Sequence, residues 1–435
     1  MSTPQAQIEP DEGSESALSE AELTTAAPEV LANSLGEYVQ AWWRRIKGGE
    51  SGALPVLAAL LLIGIFFQIE SSAFLSDGNL VNLFIESAIF IVIGAAETFV
   101  LLLSEIDLSL GYGVGIGGFV IAELIAPPVN FPWWLGIVGG VVVMGFLGLI
   151  QGTLITRLGL PSFIVTLGGQ LGFLGIMLEL ANFDKTAVGG VIQIDPSTPI
   201  AKLAGSQMSP TVGWIVMVVC VGLFAALTLS RNRSRRARGL HTKPVGVTVL
   251  TIGAVAAAGV VLLYICNANR SNLGVVEGVP WVIPFVLLII LAYSWLLSHT
   301  RTGRYIYAVG NNPEAARRAG INVKWIVTFG FIMSGATSAL AGLIYISQQG
   351  SVSTAIDGGT LVLYAVASAV VGGTALFGGR GRMVNALLGG FVISVVYNGL
   401  ALMGVSPAVQ DISTAVVLIA AVSLDALVRR RAVVR

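Results

Sequence analysis

Long apolar stretches alternate with short polar connections along most of the chain. Of the 435 residues, 55% are hydrophobic and only 11% are charged, whereas charged residues make up about a quarter of an ordinary soluble domain. A helix of about 20 apolar residues is long enough to cross a hydrocarbon core of about 30 Å. The pattern therefore predicts an all-α polytopic membrane protein rather than a soluble enzyme or binding domain.

We predict twelve membrane-spanning helices within one transmembrane domain over residues 49–428. The chain has 53 glycines, which is typical of close helix packing, since small residues let two backbones approach. The tenth stretch is short and is followed by several glycines, so it predicts either a full crossing or a broken or re-entrant helix. The predicted spans are 53–69, 81–103, 108–126, 133–155, 162–181, 212–230, 245–266, 281–298, 326–347, 361–373, 383–404 and 410–428.

Basic side chains concentrate on alternate connections between these spans. Cytoplasmic connections of membrane proteins carry an excess of Lys and Arg. With the N-terminus inside, the cytoplasmic connections include Arg157, a basic insert at 231–243 and the segment 299–325. This asymmetry predicts that both termini are cytoplasmic. The connections on the opposite side hold only Lys185, Lys202 and Arg270.

The two ends of the chain are predicted to be charged cytoplasmic tails. Residues 1–48 are rich in Ser, Pro and Ala and carry eight acidic residues before the first base, Arg44. Low hydrophobicity and net negative charge are typical of disorder, so we predict a disordered acidic tail there. Residues 429–435 form a short basic tail at the other end.

The segment 299–325 is the longest charged run between two spans, with five bases and a single acid, Glu314. Within this predicted loop, Asn312 can cap a short helix that has Pro313 at its first position and ends at Gly320. A short capped helix between two spans presents a defined surface to a soluble partner. The alternative interpretation is an ordinary solvated loop whose charges only reflect the cytoplasmic side.

A second informative stretch, Ser104–Gly111, has two carboxylates close to membrane depth. Charged side chains there are costly and usually face a cavity or a partner. Three interpretations are open: Ser104 or Asp107 caps a helix that begins near Leu108, the acids line a polar pathway, or they relay protons. Other polar side chains within or near spans could line the same pathway, namely Glu86, Glu97, Gln170 and Glu179.

The sequence lacks the motifs of several enzyme classes. It has no phosphate-binding G-x-x-x-x-G-K-[ST] loop, no nucleophile elbow and no dinucleotide-binding fingerprint. Both cysteines, Cys220 and Cys266, lie in apolar stretches, and His241 and His299 are isolated, so no metal site is predicted. We therefore expect no catalytic site and no bound cofactor or metal on this chain.

Several motifs resemble those of the bacterial permease subunits of sugar ATP-binding-cassette (ABC) importers, the ribose, xylose and galactose branch. The run Thr302–Val323 is similar almost throughout to the cytoplasmic signature of that family, and Glu105–Gly111 resembles its acidic membrane motif. Val371–Gly381 and Tyr397–Leu400 also match. Pro161–Gly169 and the extra pair of spans around the basic insert look most like the xylose permeases.

The resemblance implies the fold of an ABC importer permease and a role as its translocation subunit in the bacterial plasma (inner) membrane. It implies a permease homodimer, two ATPase subunits that bind ATP and Mg²⁺ below it, and a sugar-binding protein outside; no nucleic acid is implied. The segment 299–325 would be the coupling element that docks into the ATPase and tips the spans between outward-open and inward-open states. The expected coupling residues are Gly303, Arg304, Glu314, Ala315, Ala316 and Gly320.

The expected cargo is a monosaccharide, xylose or a related pentose. Where the family has an acidic run before its Gly-Gly-Thr motif, this chain has Leu361–Ala365, and the outer connection 182–211 also departs from the family. These departures leave the solute open to another sugar, a polyol or a nucleoside. Tyr364 could stack on the apolar face of a sugar. The candidate pathway residues are Glu105, Asp107, Ser109, Gln170, Tyr364 and Asn398.

Two other classes of function compete with this interpretation. An ion-coupled secondary transporter would use Glu105 and Asp107 and would need no ATPase. A non-transporting membrane scaffold would use the segment 299–325 only to tether a soluble protein. The coupling-type segment argues against the first class, and the intramembrane acids and glycines argue against the second.

Overall fold

The computed structural model describes residues 36–37, 40, 54–183, 190–239, 242, 244–270, 274–416 and 419. Nearly all of the predicted acidic tail, the whole basic tail and the second half of the predicted twelfth span lie outside these residues. Trp214–Leu262 belong to a compact unit separate from the one formed by Gly52–Gly213 and Leu263–Arg435. We describe the two units separately.

Fourteen α-helices have bounds within the described ranges. They are α1 (Leu54–Glu70), α2 (Asp77–Leu101), α3 (Leu110–Ile125), α4 (Trp133–Leu158), α5 (Ser162–Phe183), α6 (Pro199–Gly205), α7 (Pro210–Ala237), α8 (Val245–Asn267), α9 (Val282–His299), α10 (Arg301–Asn311), α11 (Pro313–Arg318), α12 (Val323–Gln349), α13 (Gly358–Val371) and α14 (Met383–Leu402). Residues 407–416 are also helical.

The predicted spans match the described helices closely. Eight helices are at least 18 residues long and apolar enough to cross a membrane, and the shorter α1, α3 and α13 are also apolar. These eleven helices correspond to the first eleven predicted spans, and residues 407–416 begin the twelfth. The tenth, α13, has 14 residues, or about 21 Å, which is less than the thickness of the hydrocarbon core.

A small group of helices forms the centre of the larger unit. The apolar windows of α2, α12 and α14 are 83%, 72% and 67% buried. Of these helices, α2 packs against α12 and α14. The helix α3 packs against α12 and α13, α13 also packs against α2 and α14, and α4 lies along α12. We call α2, α3, α12, α13 and α14 the inner bundle.

Two short antiparallel strand pairs join connections that were predicted to lie on the outer side. β1 (Ile192–Gln193) pairs with β4 (Ser351–Val352), and β2 (Gln207–Met208) pairs with β3 (Val279–Pro280). The predicted outer connections 182–211, 267–280 and 348–360 therefore meet. That arrangement agrees with the predicted alternation of sides, whatever the absolute orientation of the chain.

One local prediction is wrong, and one of the three interpretations of Ser104–Gly111 is excluded. The first half of the segment 299–325 is not a loop but the helix α10, because Gly303, Ile306 and Val309 recur at helical spacing and are buried on one face. The helix α3 begins at Leu110 and neither Ser104 nor Asp107 caps it. The Asp107 carboxylate instead accepts the Ser109 amide, which holds the backbone in a turn before the helix starts.

Candidate functional site

The segment 299–325 is a pair of capped helices. The Thr300 hydroxyl accepts the amide of Gly303 at 3.0 Å at the start of α10. The Asn312 side chain accepts the amide of Ala315 at 2.9 Å at the start of α11, whose first residue is Pro313. Gly320 follows α11 with a positive φ of 82°, a conformation that favours glycine. The predicted capping of the short helix is confirmed.

Of the six predicted coupling residues, three are exposed on the helices, two are buried, and Gly320 lies in an exposed turn. Arg304, Glu314 and Ala315 are exposed, and Glu314 pairs with Arg317 at 3.0 Å along α11. An exposed pair of this kind contributes little to stability, so these groups are available to a partner.

The other members of the set hold the helices in place. Gly303 and Ala316 are buried. A side chain at Gly303 would collide with the last carbonyl groups of α9. Gly320 provides the turn that leads into α12, so these three residues position the exposed ones.

The C-terminal end of α10 packs directly on the backbone of the inner bundle. A Cβ at Gly310 would collide with the Leu102 carbonyl oxygen and would lie 2.8 Å from the amide nitrogen of Gly379. The Gly379 amide itself donates to the Leu102 carbonyl at 2.9 Å. Three segments that are distant in sequence therefore meet at Gly310, where only glycine leaves room.

Two side-chain hydrogen bonds complete this junction. The Tyr307 hydroxyl donates to the Gly381 carbonyl at 2.8 Å, and the Ser104 hydroxyl donates to the Phe377 carbonyl at 2.9 Å. They connect α10 and the end of α2 to the glycine-rich connection between α13 and α14. We call these contacts the α10 junction. A displacement of α10 would therefore act on α2 and on the α13–α14 connection together.

Asp107 lies at the centre of a buried hydrogen-bond network. Its carboxylate accepts the Ser109 hydroxyl at 2.6 Å and the Ser334 hydroxyl of α12 at 2.7 Å. The side chain is only 2% exposed. Since burying a carboxylate without partners is very costly, these donors are what makes the position tolerable, and they tie the α2–α3 connection to α12.

Two further polar side chains extend this network. Gln151 of α4 donates to the Ser109 hydroxyl at 2.8 Å. Glu97 of α2 is fully buried; its Oε1 lies 3.5 Å from the Asp107 amide nitrogen, and among the described residues its Oε2 has no hydrogen-bond partner. Glu105 lies apart from them, partly buried and hydrogen-bonded with Ser162. We call Glu97, Asp107, Ser109, Gln151 and Ser334 the Asp107 network.

The remaining pathway candidates lie in other places. Asn398 of α14 donates to Glu86 at 3.1 Å and accepts from Asn79 at 2.9 Å, which connects both ends of that polar group to α2. Gln170 of α5 lies beside the start of α13, where a Cβ on Gly359 would be 3.8 Å from its amide nitrogen.

Tyr364 belongs to an aromatic cluster, and its hydroxyl is hydrogen-bonded with Thr414. Its ring meets Phe90 edge-on at 5.2 Å between centroids and Tyr397 at 6.3 Å. It is 5% exposed, so its ring faces are covered by protein in this conformation. The structure thus brings Asp107 and Ser109 together, while Glu105, Gln170, Tyr364 and Asn398 occupy separate positions.

Sequence reasoning missed three residues of these polar groups: Asn79, Gln151 and Ser334. Gln151 carried a usable signal, because it is the one amide in the apolar stretch of α4, where polar groups are costly and need partners. Ser334 carried none, since a serine in a membrane helix commonly bonds its own backbone.

A separate apolar cavity of about 380 Å³ lies near the predicted outer side. None of the six pathway candidates lines it, so it does not identify the pathway. Its lining residues are Trp133, Ile137, Pro199, Ile200, Lys202, Leu203, Ser206, Trp281, Phe285 and Leu343.

Comparison with known proteins places the chain in a family of transport proteins. Residues 79–422 match the family described as branched-chain amino acid transport system / permease component. This match covers most of the described helices, including the α10 junction and the Asp107 network. The chain belongs to this family of permease components and is a multi-pass membrane protein.

The individual relatives are named as sugar permeases. The chain is 32% identical to the xylose transport system permease protein XylH of Escherichia coli (strain K12), over 88% of this chain and 96% of the relative. It is 29% identical to the D-allose transport system permease protein AlsC of the same strain, over 87% and 92%. It is 27% identical to the ribose import permease protein RbsC of that strain, over 85% and 92%. No solved structure matches the chain.

Proposed function

We propose that this chain is the translocation subunit of an ATP-driven importer for a monosaccharide, xylose or a related pentose. It has no catalytic site of its own in this proposal, and a separate ATPase subunit binds ATP and Mg²⁺. The chain acts as a homodimer in the bacterial inner membrane, with both termini in the cytoplasm and a sugar-binding protein on the other side.

The α10 junction is the observation that carries the proposal. Arg304, Glu314 and Ala315 present an exposed surface on two short capped helices. The first of these helices, α10, rests on the Leu102 and Gly379 backbones, with no space for a side chain at Gly310. A surface held this tightly suits a lever that transmits movement, because packed elements shift as rigid bodies rather than deform.

The similarity to XylH supports xylose or a related pentose as the cargo. The similarity to AlsC and RbsC supports the alternative of another sugar, and a polyol or nucleoside remains a further alternative. We propose that the solute contacts Glu105, Asp107, Ser109, Gln170, Tyr364 and Asn398 along its path. Since Asp107, Tyr364 and Asn398 are buried here, the helices that cover them must separate when the solute passes.

Ion coupling is the second candidate, and the Asp107 network is the observation that favours it. Two carboxylates, Glu97 and Asp107, are buried together, and Glu97 leaves one oxygen unpaired among the described residues. Buried acids of this kind can relay protons in transporters.

Labelled xylose uptake into vesicles distinguishes these candidates. The vesicles contain the permease with its cognate ATPase and binding protein, ATP is supplied on the ATPase side, and an ionophore collapses the ion gradients. The proposal expects uptake to survive the ionophore and to fall at least about tenfold in Arg304→Glu/Glu314→Arg, because that variant reverses two charges on the docking surface.

Arg157→Glu is the matched control, since Arg157 is exposed at the end of α4 and lies outside the α10–α11 surface. Its uptake should stay near that of the wild type. Uptake that ignores ATP and collapses with the ion gradient would establish the ion-coupled candidate instead. ATP-driven uptake of another solute, with none of xylose, would retain the importer and replace its cargo.

A further inference from the structure

The C-terminal end of α7, on the side predicted to be cytoplasmic, carries a dense group of arginines. Five of them follow the apolar part of the helix, and their side chains lie at its exposed end. The sequence contains no acidic residue between Asp195 and Glu277. We call these residues the basic ring: Arg231, Arg233, Arg235, Arg236 and Arg238.

The length of α7 sets the depth of the basic ring in a membrane. The helix has 28 residues from Pro210, which is about 42 Å at 1.5 Å per residue. About 20 residues cross a hydrocarbon core of about 30 Å, so the core ends close to Ser230. The rest of α7, from Arg231 to Ala237, and the following Arg238 therefore lie in the layer of lipid headgroups and just beyond it.

The arginines surround the helix instead of sharing one face. At 100° per residue, Arg231 and Arg235 fall on one side of α7 and Arg233 and Arg236 on the other, and Arg238 follows the end of the helix. The side chain of Asn232 lies between the two sets and donates to Thr248 of α8 at 3.0 Å. A single protein partner would be recognised by one face, whereas lipid headgroups can approach from all the sides that α8 leaves open.

The helices on either side of the basic ring are also exposed along their length. The apolar windows of α7 and α8 are only 6% and 11% buried. Apolar surface of that extent in a membrane protein faces acyl chains. The ring is therefore reached by the headgroups of the same lipids that cover the two helices.

We propose that the basic ring binds anionic phospholipid headgroups. An arginine guanidinium offers a planar pair of donors that matches two phosphate oxygens, and basic clusters next to a membrane helix attract anionic lipids. Arg236 already has one donor engaged, because its Nε donates to the Thr242 hydroxyl at 3.0 Å. That contact leaves its two terminal nitrogens for a phosphate.

Native mass spectrometry of the full-length protein tests this proposal. The protein is released from micelles with phosphatidylglycerol or phosphatidylcholine of identical acyl chains, and the bound lipids are counted. The expected result is a preference for phosphatidylglycerol of roughly tenfold. It should disappear when all five arginines become Gln and largely persist when all five become Lys.

The segment 299–325 provides a matched control of equal charge. Replacing its five bases, Arg301, Arg304, Arg317, Arg318 and Lys324, by Gln should leave the lipid preference in place. If the five-Gln variant of the ring does not fold, Arg233→Gln/Arg236→Gln should still reduce the preference severalfold, since it clears one side of the helix.

Two results would overturn the proposal. One is an equal preference for phosphatidylglycerol in the wild type and in the ring variants. The other is a wild type without any preference that gains one when the eight carboxylates of residues 9–37 are replaced by amides. That second result would mean that the acidic tail, rather than a lipid, occupies the ring.

Discussion

The inner bundle and the α7–α8 pair are both built from strongly apolar helices, but the helices of the two regions differ in how much of their surface is buried. The windows of α7 and α8 are more apolar than those of α2 and α12. Yet the first two are almost entirely exposed, and the other two are mostly buried. Apolar character therefore predicts that a helix crosses a membrane and says nothing about what it faces, because lipid tails are as apolar as a protein core.

Small residues and polar groups mark the difference between the two regions. On α12, a Cβ at Gly342 would lie 2.5 Å from the Val114 carbonyl oxygen and 2.7 Å from the Gly118 amide nitrogen of α3. At Gly222 of α7 and Gly253 of α8, an added Cβ meets no atom of a neighbouring segment within 4 Å among the described residues. The inner bundle is thus fixed by backbone contacts that the pair lacks at these positions.

The largest expected change in stability comes from adding one methyl group at Gly342. Gly342→Ala forces α12 away from α3 and should lower the free energy of unfolding by about 3 kcal/mol, as overpacking does. Gly253→Ala should be neutral or stabilising by up to about 1 kcal/mol, because alanine favours a helix where there is space. Thermal unfolding in detergent measures both.

The same scan includes Gly222→Ala as a second control in the pair. A similar loss of stability in all three variants would contradict the difference between the two regions, since it would mean that α7 and α8 are as closely packed as α12. Equal tolerance in all three would show that α3 and α12 are not in backbone contact.

The second expected effect is the loss of stability when the buried Asp107 is replaced, compared with the exposed Asp195. Asp107→Ala leaves the Ser109 and Ser334 hydroxyls of the inner bundle without their acceptor and should cost about 2 kcal/mol in total, within the range expected for unpaired buried donors. Asp107→Asn keeps one acceptor oxygen and should cost less. Asp195, on an exposed connection, accepts the Ser197 amide at 2.8 Å, and Asp195→Ala should cost under about 1 kcal/mol.

Thermal unfolding of these three variants should show Asp107→Ala as the least stable, Asp107→Asn as intermediate and Asp195→Ala as the most stable. If Asp107→Ala and Asp195→Ala had equal effects, Asp107 would not be buried as described. The same variants assayed for uptake show whether the network also serves transport.

The smallest effect is expected at the edge of the inner bundle, where Asp357 caps α13. The Thr360 hydroxyl donates to its carboxylate at 2.6 Å, and the hydrogen bonds from the Thr360 hydroxyl and amide lower the pKa of Asp357. A depressed carboxyl pKa stabilises the fold above the unfolded value of about 3.9 and loses that effect as the pH falls through the folded pKa.

Asp357→Ala should therefore lose about 1 kcal/mol at pH 7, the typical contribution of such a cap. Its difference from the wild type should shrink below roughly pH 4. Unfolding temperatures of both proteins from pH 3 to pH 7 measure the gap. A gap that stays constant over this range would show that the carboxylate charge does not contribute.

Much of this architecture could be predicted from the sequence, because spans and caps are local features. The first eleven spans and the capping of α11 by Asn312 follow from apolar runs and from single residues at fixed positions. The helix α10 was missed because its apolar face is narrow and lies within a charged segment. The contact of Gly310 with Leu102 and Gly379 was beyond prediction, since it depends on how three distant segments pack.

In the candidate site, too, local features could be predicted and contacts between distant segments could not. The motif around Asp107 drew attention to the right stretch, yet its partners come from α2, α4 and α12, where Glu97, Gln151 and Ser334 are scattered in apolar sequence. Polar residues in a membrane helix indicate that a partner exists. Which partner it is depends on the arrangement of the helices.

The proposed coupling role of α10 is tested most directly by the number of sugar molecules transported per ATP hydrolysed when the α10 junction is loosened. Tyr307→Phe/Ser104→Ala removes the hydrogen bonds to Gly381 and Phe377. Thr248→Val removes one hydroxyl acceptor between α7 and α8 and serves as the control.

We predict that the junction variant folds, still activates the ATPase, and transports severalfold less sugar for each ATP hydrolysed. Thr248→Val should keep the wild-type ratio. An unchanged ratio in the junction variant, with ATP hydrolysis and uptake still proportional, would contradict the claim that α10 transmits movement to the inner bundle.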